Sequence, residues 1–515
     1  MKKILKSTFL VSFATLISRI LGVARDVLIA NIFGADLYTD IFFLCFRAPD
    51  FLRKMFSEGI LSSAFIPVFS RYHDEQGKTK AFEMFNSALV FISVSASVIT
   101  ISGIIFAPMV ITFLFPEFAA NSYEFSLGVL VSRIMMPYLI FIFLLAVCMG
   151  ALNSMESFIS SAFAPVIFNI IIILFTLAVC KYFDPPVIGL ALGVTIGGLT
   201  QLIFQIPFLK QNNIFNINKL VFFHPGVIKF LKRLFPSIIG AGSFHFNLLV
   251  ASFFASFLGK GNISCLYYAD RLVQLPMALF SVSISIVFLP LFSRQAAKKD
   301  KSLMVFLHAL RFLFFLIIPA MAGLILLREP IVKLFFFHGA FDLAAVNNTS
   351  EILLFLVLGL WSYAGTRIFV SFFHGRSDMR TPFIAGAVSI LFNFILSMVL
   401  VNIFGFKGLA ISISISGVLN FLILFTQLQS KKLLSYKDIG FSACRAVFIS
   451  GIMYFVIKIL ILQINKISGF ELPNLVNIAI SITIGVLVYF ILNLLIKSPE
   501  IKLIRYEVLR AFKNK

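Results

Sequence analysis

The chain has 515 residues, of which 60% are hydrophobic and only 13% charged, and its mean hydropathy is +1.02. No water-soluble domain of this size can cover its surface from so small a supply of polar groups, so the chain is read as a membrane protein. The net charge of +21 then calls for a topological explanation before a nucleic-acid one.

Apolar runs of the roughly 20 residues needed to cross a bilayer of about 30 Å recur from end to end. Within lipid the backbone must bond to itself, which makes these runs helices and the fold all-α and polytopic. In chain order the sequence predicts fourteen spans, at roughly 8–33, 37–71, 83–115, 125–150, 156–181, 185–208, 227–258, 263–293, 303–336, 343–374, 381–404, 408–428, 441–464 and 472–496. Lys2, Lys3 and Lys6 precede the first run as they would in a signal peptide. No small-residue cleavage site follows and charged residues continue the run, so it is expected to be retained. Basic residues concentrate in alternate loops: Arg71, Lys78 and Lys80, then Lys210 to Arg233, then Arg294 to Lys301, then Arg376 and Arg380, then Lys431 to Lys437, and finally the tail from Lys497 to Lys515. The opposite loops carry few, among them Lys181, Lys260, Lys407 and Lys466. This positive-inside bias places both termini in the cytoplasm. Cys45, Cys148, Cys180, Cys265 and Cys444 lie in apolar surroundings without CxxC spacing and read as small core residues.

A long-range repeat organises the spans. "FIPVFSR" at Phe65–Arg71 recurs as "FLPLFSR" at Phe288–Arg294, "IFG" ending at Gly34 matches "FLG" ending at Gly259, and Arg47 falls near Arg271. The expected domains are an N-terminal lobe over 1–220 (spans 1–6), a C-terminal lobe over 221–435 (spans 7–12), and 436–515 carrying two extra spans and a basic cytoplasmic tail. Six spans per lobe keep the two in the same orientation, related by a pseudo-twofold along the membrane normal, with a substrate cleft expected between them.

Catalytic signatures are missing. There is no HExxH, no metal-spaced His/Cys cluster, no GxSxG elbow, and "GKT" at Gly77–Thr79 lacks the upstream glycine of a phosphate-binding loop. The expectation is a non-enzyme without a cofactor, not powered directly by ATP. Instead, ionisable residues sit inside apolar helices: Arg19, Arg25 and Asp26 in the first span, Arg47, Asp50, Arg53, Lys54 and Glu58 in the second, Asp270 and Arg271 in the eighth. At 100° per residue Arg19, Gly22 and Asp26 share one face, and Arg25 borders it. An arginine at mid-span costs about 2.5–3.5 kcal/mol, so it must face a protein-lined aqueous cavity or meet a partner. One reading is structural ion pairs, Arg25 with Asp40 and Arg53 with Glu58. The other is a binding site: Arg19, Arg25, Arg47, Arg53 and Lys54 outnumber Asp26, Asp40, Asp50 and Glu58, and Arg271 adds to the surplus. Guanidinium suits bidentate phosphate recognition, so the surplus points to an anionic substrate. His245 reads as hydrogen-bonded packing before a proton relay. Asn393 and Ser397, one turn apart, are weak candidates for a cation site and better ones for interhelical hydrogen bonds.

"SRILGVARD" (Ser18–Asp26), "IFGADLYTDIFFLCFRAPDFLRKMFSEGILSSAFIPVFSRY" and "YYADRL" resemble the MurJ (MviN) family of lipid II flippases over essentially the whole chain. The resemblance implies the fold of the multidrug/oligosaccharidyl-lipid/polysaccharide exporter superfamily, with two bundles alternating access around a cationic cavity. It implies a bacterial cytoplasmic-membrane protein, expected to be a monomer, that moves lipid II (undecaprenyl-pyrophosphate disaccharide-pentapeptide) between leaflets. It matches Arg19, Arg25, Arg53 and Arg271 to the family's critical arginines, read as pyrophosphate-binding, with Asp26, Asp40 and Glu58 in support, and the last two spans to the lipid tail; Arg47 and Asp270 count as further supporting cavity residues. Membrane potential or a cation gradient would drive it. Two positions depart from the family: Ser397 where some members carry a carboxylate tied to sodium, and Gln274 where the family has a glutamate. Competing readings are a flippase for another polyprenyl-pyrophosphate oligosaccharide, a cation-coupled drug exporter of the same superfamily, and a membrane-embedded transferase or phosphatase.

Overall fold

The computed structural model describes residues 2–57, 60–117, 121–212, 214, 224–294, 299–376, 378–430, 436–468 and 474–501, and every regular element among them is helical. In chain order the helices are α1 (Lys2–Phe33), α2 (Leu37–Ser57), α3 (Ile60–Ile105), α4 (Ala107–Leu114), α5 (Ser122–Met135), α6 (Tyr138–Ser154), α7 (Phe158–Leu174), α8 (Val187–Gln211) and α9 (Pro225–Ala255). They continue as α10 (Asn262–Pro276), α11 (Ser283–Arg294), α12 (Lys299–Phe336), α13 (Leu343–Leu358), α14 (Leu360–Gly375), α15 (Arg380–Phe404), α16 (Phe406–Ser430), α17 (Tyr436–Ser468) and α18 (Asn474–Leu495).

Local chemistry explains most boundaries. Asn121 caps α5 by accepting from the N–H groups of Tyr123 and Glu124 at 3.0 and 3.4 Å, and Asp342 caps α13 by accepting from Ala345 at 2.7 Å. Pro276 ends α10 and a π-helical turn, Met277–Val282, leads into α11. In place of the loop expected after Arg71, two helical stretches within Ile60–Ile105 meet at a kink at Gly77, whose backbone is non-helical at φ 84°, ψ 169°. Glycine takes that conformation without strain, so the break between the two helical stretches is made at one residue. Among the described residues nine helical segments are long and apolar enough to cross a membrane, or ten if α13 and α14, bent by 47°, form one broken span. The expected spans at 8–33, 37–71, 227–258 and 263–293 are largely helical but fall outside that set. Three of these four carry the charged residues that the sequence singles out.

The chain divides into two compact units. The first comprises Met1–His245, Ser252–Ser264 and Gly339–Phe341, and the second Phe246–Ala251, Cys265–His338 and Asp342–Lys515. In the first, α1 packs along α7, α7 along α8, and α3 along α6. In the second, α15 packs on α16, and α12 lies against α13, α17 and α18. Tyr489 stitches α18 to α12, its hydroxyl donating to the Phe315 carbonyl at 2.9 Å, and α17 joins them through Ile449, Met453 and Ile457 in a cluster that includes Ile501. Beyond α18 the chain turns back at Lys497, φ 55°, and inserts Glu500, 2% exposed. Glu500 accepts from Arg311 at 3.2 Å, from the Ser442 hydroxyl at 2.9 Å, and from Arg445. This one carboxylate joins α12, α17 and the segment after α18.

Removing it strands two largely buried guanidinium groups, a loss of about 3 kcal/mol. Glu500→Ala should therefore lower the melting temperature of the detergent-solubilised protein, with Glu500→Gln, which keeps an acceptor but no charge, falling between mutant and wild type. Unchanged melting of both variants would contradict this clamp.

Candidate functional site: the arginine cluster of the first unit

In α1, Arg25 and Asp26 are 2% and 3% exposed. Arg25 donates from Nε and Nη2 to Asp26 Oδ1 at 3.0 and 2.7 Å, and from Nη1 to Asn169 Oδ1 at 3.1 Å. Asn169, in α7, donates its Nδ2 to the Ser18 carbonyl at 2.9 Å. The amide lies beside Gly22, where a Cβ would meet Asn169 Nδ2 at 3.6 Å, an ordinary van der Waals contact. The expected pairing of Arg25 with Asp40 is replaced by pairing with Asp26.

Arg53 is held on α2 by Asp50, three residues earlier, at 2.5 Å. Its guanidinium lies 5.3 Å from the centre of the Phe168 ring, an attraction between cation and π-face. Phe168 packs against Phe46 and Tyr138 with ring centres 6.3 and 5.5 Å away. The partner expected for Arg53, Glu58, lies outside the described residues. Arg25 and Arg53 thus converge on consecutive residues of α7, Asn169 and Phe168. Half-buried Arg19 and buried Arg47 add charge from the same two helices, whose carboxylates are Asp26, Asp40 and Asp50.

Asp40 does different work. It is 1% exposed and accepts from the N–H of Gly261 at 2.6 Å and from the N–H and hydroxyl of Ser264 at 2.8 and 2.5 Å. These are groups at the start of α10, where backbone donors lack helical partners. Alongside, the Ala340 N–H donates to the Asn31 carbonyl at 2.9 Å. Gly339, φ +57°, lets the backbone pass so close to Asn31 that a Cβ would collide with it. At the same loop Lys260 pairs with Glu124 at 2.9 Å, and that hydrogen bond raises the Lys260 pKa.

The second unit holds Asp270 and Arg271. Arg271 donates to the Tyr267 hydroxyl and lies 4.6 Å from the centre of that ring. Gln274 donates to Asp270 at 2.5 Å, so the family departure at Gln274 supplies a neutral partner for the buried carboxylate. Asn393 donates to the Asn247 carbonyl at 3.1 Å, and Ser397 shares a hydrogen bond with Ser412 at 2.7 Å. His245, 9% exposed, has Phe244 and Phe51 as ring neighbours. Phe168 and Asn169 were not singled out from the sequence; the available signal was one amide set against the isoleucine run Ile170–Ile173 of α7.

Comparison with known proteins follows the same lines. Residues 29–476 match the family model described as "Lipid II flippase MurJ". A probable lipid II flippase MurJ of Vibrio cholerae is 35% identical over 457 residues, covering 86% of each chain. The lipid II flippase MurJ of Burkholderia cenocepacia is 32% identical over 427 residues, covering 82% of this chain and 83% of its own. A solved lipid II flippase MurJ in an inward closed conformation superposes with a TM-score of 0.78 at 33% identity, over 94% of this chain and 97% of that one. An inward-facing multidrug resistance MATE family transporter of the MOP superfamily shares the fold, with a TM-score of 0.67 at 15% identity over 81% of this chain and 96% of that one.

The Asp40 geometry makes a direct prediction. Asp40→Asn turns one acceptor oxygen into a donor facing other donors, and should raise amide hydrogen exchange in residues 259–264 by about tenfold or more. Unchanged exchange there would mean that close backbone packing, not the carboxylate, holds these loops.

Proposed function

The chain belongs to the MurJ family of lipid II flippases, and on that premise we propose that it carries lipid II from the inner to the outer leaflet of the cytoplasmic membrane. The observation that carries the mechanism is the convergence of Arg25 and Arg53 on Asn169 and Phe168. Two guanidinium groups, from α1 and α2, oriented against one turn of α7 suit a ligand with two phosphoryl groups, each a planar fork meeting paired oxygens. Arg19 adds charge from α1. Arg271, oriented by Tyr267, is a further anion-recognition residue, and a substrate that binds two conformations unequally drives an alternating-access cycle. The polyprenyl tail stays in lipid along α17 and α18, where an apolar recess is lined by Ile457, Leu460, Ile461, Ile480, Ser481 and Ile484. Both termini lie in the cytoplasm, and the protein acts as a monomer. Outward passage of an anion is favoured by an inside-negative potential, about 2.3 kcal/mol per charge per 100 mV. A cationic-drug exporter fits less well, because Asp26 and Asp50 are both engaged by arginines.

Purified protein in liposomes should translocate lipid II without releasing phosphate, and should leave cationic drugs untransported. Arg53→Ala should reduce the rate about a hundredfold, while Arg53→Lys, which keeps the charge but loses the fork, should retain about a tenth. Wild-type vesicles no faster than protein-free ones would refute the assignment; a fully active Arg53→Ala would refute the role of that arginine.

A further inference from the structure

Asn169 is 3% exposed and stands between Phe168 and the isoleucine run Ile170–Ile173. A polar amide at such a position persists only if its hydrogen-bonding groups are met. Both ends of this one are engaged: Oδ1 accepts from Arg25 at 3.1 Å, and Nδ2 donates to the Ser18 carbonyl at 2.9 Å. That pairing assigns the amide's orientation, since only the nitrogen can donate to a carbonyl and only the oxygen can accept from a guanidinium. One side chain of α7 therefore ties the Arg25 head group to the backbone of its own helix two turns upstream. On the other edge Asp26 Oδ1 takes Nε and Nη2. The guanidinium plane is fixed from both sides.

The two holders differ in charge. Asp26 alone brings the pair to neutrality, and a second carboxylate in place of Asn169 would leave the group net negative, repelling a phosphate. An amide supplies the same acceptor geometry without the charge. Resting on the pyrophosphate reading above, we infer that Asn169 is a positioning residue of the anion site: it orients Arg25 toward the lipid-linked pyrophosphate while leaving the local charge open to an anion.

The test uses the full chain in liposomes, with initial rates of lipid II translocation measured against lipid II mole fraction and against inorganic pyrophosphate as competitor. Wild-type translocation establishes the parent reading independently of Asn169. Asn169→Ala should raise the apparent KM for lipid II, and weaken inhibition by pyrophosphate, by about tenfold each, with the maximal rate within about twofold. Placed in an Arg25→Lys background the same substitution should change KM by less than about twofold, because its effect passes through the guanidinium. Asn169→Asp, of nearly the same shape, should raise KM further than alanine does. The inference is overturned if Asn169→Ala leaves KM unchanged, if its effect multiplies that of Arg25→Lys, or if Asn169→Asp behaves as wild type.

Discussion

A guanidinium buried among apolar helices must be met by oxygen atoms, and the arrangement of the first unit follows from that requirement. Arg25 finds one oxygen on its neighbour Asp26 and one on Asn169. Asn169 reaches α1 beside Gly22, where α1 and α7 pack along each other. With the amide committed to Arg25, the preceding residue, Phe168, presents its ring to Arg53. Two cations on α1 and α2 are thus located by two adjacent residues of α7, through a hydrogen bond in one case and a ring face in the other.

Elsewhere in the chain buried carboxylates obey the same rule with different donors. Asp40 is satisfied by backbone and hydroxyl groups of residues 261–264, and so ties the end of α1 and start of α2 to a segment more than 200 residues away in sequence. Glu500 is satisfied by Arg311, Arg445 and Ser442, and so anchors α17 and the end of the described chain to α12. One carboxylate organises loops; the other fastens the last helices. In each case the buried charge specifies which segments come together, because a slipped register would leave it unmet.

Hydropathy made most of the fold legible, since an apolar run of bilayer length has no stable alternative to a helix. The spans at 187–211, 380–404 and 474–495 lie within a few residues of where the sequence places them. Charge placement marked Arg25 and Arg53 as exceptional. Their partners were harder to read. Adjacent helical residues point about 100° apart, yet the long side chain of Arg25 bends back to Asp26, and not to Asp40 as expected. For Arg53 the sequence suggested Glu58, five residues on, whereas the structure shows Asp50, three residues earlier and one helical turn away. Asn169 lies 144 residues from Arg25, and no local pattern encodes that contact. Gly77 was hidden for a simpler reason: a kink made by one glycine leaves no multi-residue loop to detect.

The central claim is that the arginines of the first unit recognise the pyrophosphate and not the sugar, peptide or tail. Native mass spectrometry of the purified chain, titrated with lipid II and with an analogue whose pyrophosphate is replaced by a neutral linker, tests it most directly. The account predicts binding of lipid II that is at least about a hundredfold tighter than that of the analogue, as expected for the loss of two charge-assisted contacts. Equal affinity for the two lipids would contradict it.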